Sequence, residues 1–372
     1  MKKFLAILLA LAMVFTLAAC GEKKEEATTA AAQKFYVLGP TPDHGWTAQA
    51  GAFAQAKCEE VTAAGKYEAV FMPASSGEEQ VDLCNTIVAN GDAALVVIMA
   101  LEDSAAAGVE ALDAAGIPFI EFDRFILSMK DKAVLNYSGN NYGCGAGIAA
   151  WLQGHGLEPG ATLVQLIGDN GSVCLYRQEG FEQFLRGELD FEDNLSGQKF
   201  HTTTVWTQDQ IDALFADYKT VCNWSADPAL DFMDQKIDEI TAKAKANNGK
   251  LFIFSEDDEM TFGVLNLLNA ASVSEATAAD FENLEVYISA IGGMQELYDV
   301  MSGKSDLSAT ADKYFDDMMS VTFNPIMMKN VIDYATKYLD GDWSFDLGAE
   351  VNDPVAIVDR TIADTVEGFT GH

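Results

Sequence analysis

The sequence predicts an α/β protein of two doubly wound parallel-sheet lobes joined by a multi-strand hinge. Three observations carry this reading. From Phe35 onward, short β-rich runs alternate with Ala-rich stretches whose apolar residues fall at helical spacing. The runs are apolar at consecutive positions, as in strands covered by helices on both faces. The rhythm then restarts at Asn141, and a chain of 372 residues, 49% of them hydrophobic, is long enough for two cores.

Taken in order, the first unit offers strands at FYVLG (35–39), YEAVFM (67–72), ALVVIM (94–99), PFIEF (118–122) and AVLNY (133–137). Helices are expected between them at 48–63, 78–90 and 104–115. The second unit opens with a helical stretch at 143–153. Strands follow at 162–168, 251–255 and 286–291, with helices near 179–185 and across 260–271. Residues 187–224 are less regular, with a short strand at 200–206 and an amphipathic helix at 209–217, and read as an insertion on the second unit. The expected division is 35–139 plus 323–349 for one lobe and 140–322 plus 350–372 for the other. Ligands on open parallel sheets bind beyond the carboxyl ends of the strands, so two facing edges make a cleft.

The chain begins Met1-Lys2-Lys3, followed by an apolar run from Phe4 to Ala18 that is too short to span a bilayer comfortably. Residues 1–19 read as an export signal, and Leu17-Ala18-Ala19-Cys20-Gly21 resembles the lipobox of bacterial lipoproteins, in which the cysteine is acylated. Residues 20–34 are then a lipidated Cys20 and a polar tether, which spans at most about 50 Å when extended. Two acyl chains hold such a protein stably on the extracytoplasmic face of the cell membrane. With 57 Asp+Glu against 23 Lys+Arg, a formal charge of −34, the chain repels nucleic acid and anionic lipid surfaces.

Five further cysteines, Cys58, Cys84, Cys144, Cys174 and Cys222, lack the paired spacing of a zinc site. Either one bridge joins two of them or all are small core residues. No cofactor is expected. Asp190, Glu192, Asn194 and Ser196 have the alternating oxygen spacing of a structural calcium loop, but its glycine and terminal glutamate are missing, which favours a solvated acidic turn.

The strand ends carry the chemistry. Pro42-Asp43-His44-Gly45-Trp46 follows the first strand, and Phe122-Asp123-Arg124 ends the fourth. Arg177-Gln178-Glu179-Gly180-Phe181 starts a helix of the second unit, Asn223-Trp224 closes the irregular segment, and Phe254-Ser255-Glu256-Asp257-Asp258-Glu259-Met260 ends the strand at 251–255. In this order, over about Phe35 to Glu367, they resemble the type I periplasmic binding proteins, more narrowly the ribose/galactose-type sugar-binding lipoproteins of ABC importers.

The resemblance implies that Asp43, His44 and the Trp46 ring touch a sugar, Trp46 stacking on its apolar face. Asp123 and Arg124 grip vicinal hydroxyls, one accepting and the other donating from a planar fork. Arg177 points into the cleft, Trp224 closes on the ring from the far lobe, Asp257 bonds the ligand and Asp258 caps the following helix. Asn141 and Asn324, at the first and last crossovers, are further polar contacts. Plainer roles stand beside these: Trp46 as a helix cap, Asp123 and Arg124 as a salt-bridged strand end, Asn141 as a hinge residue. One departure is visible, because Gly292-Gly293-Met294-Gln295 occupies a loop where ribose-type members place an Asp.

The implied protein is a monomer that captures a monosaccharide or related polyol and delivers it to an ABC permease, without catalysis. A sugar-sensing receptor subunit for a kinase or chemoreceptor is the alternative. A glycoside-processing enzyme built on Asp123 and Asp257 is disfavoured, because Arg124 is expected to hold Asp123 ionised.

Overall fold

The structure is a computed structural model that describes residues 32–42, 45–270 and 273–370. The export signal, Cys20 and most of the tether lie outside the described residues, as do Asp43 and His44.

Six strands form the first sheet: β1 (Gln33–Pro40), β2 (Tyr67–Ala74), β3 (Ala93–Ile98), β4 (Phe119–Phe122), β5 (Leu135–Gly139) and β13 (Glu350–Asp353). Their order is β13-β5-β4-β3-β1-β2, with every pairing parallel. The second sheet holds β6 (Thr162–Ile167), β9 (Tyr218–Val221), β10 (Lys250–Ser255), β11 (Glu285–Gly292), β12 (Asp317–Thr322) and β14 (Ile357–Asp359). Its order is β14-β12-β11-β10-β6-β9, and only β14 runs antiparallel.

Successive residues of the central strands bury on opposite faces. On β1, Phe35 and Val37 join one core layer while Tyr36 and Leu38 join another; on β10, Phe252 and Phe254 separate from Leu251 and Ile253 in the same way. That two-sided burial is why these runs show no polar alternation.

Helices α1 (Gly45–Ala63), α2 (Gly77–Asn90), α3 (Ala106–Ala114) and α12 (Met327–Asp340) belong to the first lobe. The second carries α4 (Asn141–Gly154), α5 (Ser172–Leu185), α6 (Gln208–Leu214), α7 (Ala226–Ala246), α8 (Asp258–Asn269), α9 (Glu275–Glu282), α10 (Gln295–Met301) and α11 (Ser308–Tyr314). Local signals set several ends. Ser76 accepts from Glu79 N to cap α2, Gly91 terminates it in the left-handed region (φ 65°), and Thr207 with Gln210 makes a capping box on α6.

The chain crosses between the sheets after β5, after β12 and between β13 and β14. These segments are tied together: Asn140 N donates to Asp353 O at 2.9 Å, and Thr322 N to Ala356 O at 2.8 Å. Three expectations change. Residues 350–353 pair with β5 and so sit on the first lobe, not the second. The first strand starts at Gln33, inside the expected tether. The segment 187–224 is only partly an insertion: β7 (Phe191–Glu192) and β8 (Lys199–Phe200) form a separate short hairpin, but β9 is the edge strand of the second sheet.

The acidic turn at 190–196 is stitched by protein groups. Asp190 pairs with His201, Glu192 with Lys199, and Asp193 accepts from Ser196 N and Ile357 N. All five cysteines from Cys58 to Cys222 are buried free thiols.

Candidate functional site

Each sheet reverses its strand order once, between β1 and β3 in the first and between β6 and β10 in the second. Crevices form beyond the carboxyl ends of strands at such points. A cavity of about 440 Å³ lies there, lined from the first lobe by Pro40, Trp46, Ala74, Met99, Asp123 and Arg124. Arg177, Trp224, Asp257 and Gly292 line it from the second, and Phe323 at the crossover closes it. The lobes also meet at its mouth. Phe125 N donates to Ser172 Oγ at 2.9 Å, Arg124 Nη1 lies 3.6 Å from Asp169 Oδ2, and the Arg124 guanidinium sits 5.3 Å from the Trp224 ring centre.

Aromatic rings form the apolar walls. Trp46, on the first turn of α1, donates Nε1 to Phe323 O at 2.7 Å and stacks against Phe122 (6.3 Å, 22°), so its position is fixed while its ring still lines the cavity. Trp224 follows β9 through two left-handed residues, Asn223 (φ 50°) and Trp224 itself (φ 59°), and its Nε1 donates to Asp169 Oδ2 at 2.8 Å.

Arg177 is 3% exposed and is held by Nε donating to Asn141 Oδ1 (3.0 Å) and Nη1 to Glu256 O (2.5 Å). Its guanidinium faces Trp224 and Phe323 at 5.4 and 4.9 Å. Its placement depends on a close crossing of α4 and α5. A Cβ on Gly145 would lie 1.8 Å from Arg177 O, and one on Gly180 would lie 2.1 Å from Tyr142 O. Only glycine admits this approach. Gly145 thus serves helix packing, while Gly143 faces the Asn140 side chain and Gly147 the Phe191 ring.

Asp123 occupies the left-handed region (φ 60°), is 6% exposed, and its Oδ1 has no hydrogen-bond partner among the described residues. Burial pushes its carboxyl up to about 6, against the opposing pull of Arg124 and Arg177. Desolvation thus works against the expected hold of Arg124 on the ionised Asp123. Arg124 donates Nη1 to Leu101 O at 2.8 Å, and its buried Nε is likewise unpartnered.

The helix cap foreseen for Asp258 falls on Asp257 instead. Asp257 is the N-cap of α8, accepting from Glu259 N at 2.8 Å, and it also lines the cavity. Burial and the adjacent Asp258 push its carboxyl well above the usual range. Asp258 does not cap. It is 1% exposed and accepts from Gly293 N, Met294 N and Ser320 Oγ, each at 2.7 Å, pinning the loop after β11. Gly292 and Gly293 shape that loop (φ 153° and 89°), and Gly292 presents backbone to the cavity where the departure was noted.

Two predicted contacts lie outside the wall. Asn141 is buried beneath Arg177 and orients it. Asn324 is exposed and accepts from Ile326 N at 2.9 Å, a turn contact, while its neighbour Phe323 reaches the cavity. Sequence reasoning missed Leu101, Glu102 and Asp169. Leu101 and Glu102 lie two and three residues after ALVVIM and Asp169 directly after TLVQLIG, and position alone was the available signal. It also missed Glu256, wholly buried behind Arg177, whose carboxyl burial pushes up to about 7.

The sequence pattern of the periplasmic binding protein domain matches residues 35–342. No curated protein matches the chain. Among solved structures, the chain is similar to the periplasmic binding component of the arabinose ABC transporter from Shewanella sp. ANA-3, bound to arabinofuranose. Identity is 15%, coverage 89% of this chain and 93% of that one, and the TM-score 0.62. It is also similar to a galactofuranose binding protein (16%, 89% and 96%, 0.63) and to the fructose binding periplasmic domain of the hybrid two component system BT1754 (17%, 89% and 92%, 0.62). At these identities the likeness speaks for the shared type I fold, and with the match across most of its length, the chain belongs to the periplasmic binding protein family.

Proposed function

We propose that this chain is an extracytoplasmic solute-binding protein that captures a monosaccharide or related polyol between its lobes. One observation carries the reading: a cleft at two facing sheet edges combines aromatic walls, Trp46 and Trp224, with an unpartnered carboxylate oxygen on Asp123 and an unpartnered guanidinium donor on Arg124. Buried polar groups left without partners are costly, and a polyhydroxylated ligand supplies both donors and acceptors. The solved structures similar to it include binders of arabinofuranose and galactofuranose.

A binding module fits this site better than an enzyme. The family is one of binding proteins. Delivery to an ABC permease, attachment through an acylated Cys20 and a monomeric state complete the reading; among the described residues no helix is long and apolar enough to cross a membrane. A sensing role is the second reading, favoured by the likeness to the binding domain of a hybrid two component system.

A thermal-shift screen with monosaccharides, polyols and nucleosides tests the proposal. A micromolar ligand, worth about −8 kcal/mol, raises the melting midpoint visibly at millimolar concentration. The absence of any shift across the panel would contradict it.

A further inference from the structure

A second chamber of about 210 Å³ adjoins the main cavity and shares Leu101, Glu102 and Arg124 with it. It too is formed by both lobes, with Asp103 and Phe125 on one side and Asp169, Asn170 and Ser172 on the other. The partition is the Arg124 side chain, fixed by its bond to Leu101 O and its pairing with Asp169. Asp169 is itself fixed, since Oδ1 accepts from Gly171 N at 2.7 Å and Oδ2 accepts from Trp224 Nε1. The chamber is therefore a built continuation of the cleft. At the junction the buried Arg124 Nε has no hydrogen-bond partner.

The smaller chamber extends the main cavity of about 440 Å³ across both lobes. Resting on the carbohydrate reading above, we infer that the ligand is a neutral glycoside, whose first sugar ring lies between Trp46 and Trp224 and whose second moiety extends past Arg124 into the smaller chamber. The Arg124 side chain, which lines both chambers, lies where the two parts join. The buried Phe125 offers the second moiety an apolar surface, while Asn170 and the carboxylates offer polar partners. The charge on the walls sets the class further. Glu102, Asp103 and Asp169 outnumber Arg124, whose charge is already paired, so a phosphate or carboxylate on the second moiety is repelled.

The test is calorimetric titration of the full chain with pentoses and hexoses, with neutral disaccharides and nucleosides built on them, and with the corresponding sugar phosphates. At least one neutral glycoside should bind ten times more tightly than its parent monosaccharide, and the sugar phosphates at least ten times more weakly than that glycoside. Asn170→Trp, and separately Asp103→Trp, should erase the gain while leaving the monosaccharide within twofold, since neither residue lines the main cavity. If the monosaccharides bind as tightly as every glycoside, or if both variants leave the gain intact, the inference fails and the carbohydrate reading stands. If no carbohydrate of any kind binds, both fail.

Discussion

Gly168, the residue after β6, offers a direct test of how the cavity's far wall is set. A Cβ added there would meet three ring carbons of Trp224 at 2.5 Å. Carbon atoms rest about 3.5–4.0 Å apart, so Gly168→Ala drives the indole back by about 1 Å. The ring cannot yield freely, because its Nε1 is bound to Asp169 and two arginines lie over it. Overpacking of this kind costs about 1–3 kcal/mol. We expect sugar affinity to fall by about ten- to a hundredfold in calorimetry, with the melting temperature of the unliganded protein lowered by only a few degrees. In a double-mutant cycle, Gly168→Ala should add little to the loss caused by Trp224→Ala, since both act through one ring. Affinity within twofold of the parent, or fully additive losses, would refute the placement of Trp224 as a binding wall.

Other outcomes follow from buried groups. Asp258→Ala removes an acceptor for three hydrogen bonds at a site 1% exposed, and thermal melts should show a loss of about 3 kcal/mol or more. Glu121 is buried, and both its Oε2 and Oδ1 of Asn136, its register partner on β5, lack hydrogen-bond partners; burial pushes the Glu121 carboxyl up to about 8 from 4.5. The folded state then binds more protons than the unfolded chain between those values, so Glu121 lowers stability progressively as pH rises from about 5 to 8. Glu121→Gln should accordingly be more stable than the parent at pH 8, by up to a few kcal/mol in denaturant unfolding, with the difference vanishing near pH 4.5; an equal gain at both pH values would be inconsistent with this titration. Burial pushes the Cys58, Cys84, Cys144 and Cys222 thiols up to about 12, and Cys174 further. A chain beginning after Cys20 should therefore react slowly with a thiol reagent when native and release five equivalents when unfolded.

The doubly wound lobes were legible because their central strands bury both faces, leaving continuous apolar runs such as Leu95–Ile98 between recognisable helices. The edge was harder. β9 (YKTV) has one buried residue in four and follows a short separate hairpin, so it read as part of an insertion although Trp224 depends on it. β13 was assigned to the wrong lobe because its four residues carry no sign of which sheet they join; only pairing with Asn136–Gly139 decides. Within the site, side chains immediately after strands were readable by type. Their division of labour was not: Asp257 and Asp258 are adjacent carboxylates, and only the path of the loop at Gly293 determines which one is buried beneath it. Asn141 was visible as a polar crossover residue, but its partnership with Arg177 arises from a helix crossing that Gly145 and Gly180 permit.

The central claim is that a sugar is held between the lobes by Asp123 together with the aromatic walls. Calorimetric titration of the parent chain and of Asp123→Ala with the best carbohydrate from the thermal-shift panel tests it most directly. The account predicts micromolar binding by the parent and no measurable heat from a variant that melts within a few degrees of it. Equal affinity in the two chains would contradict it.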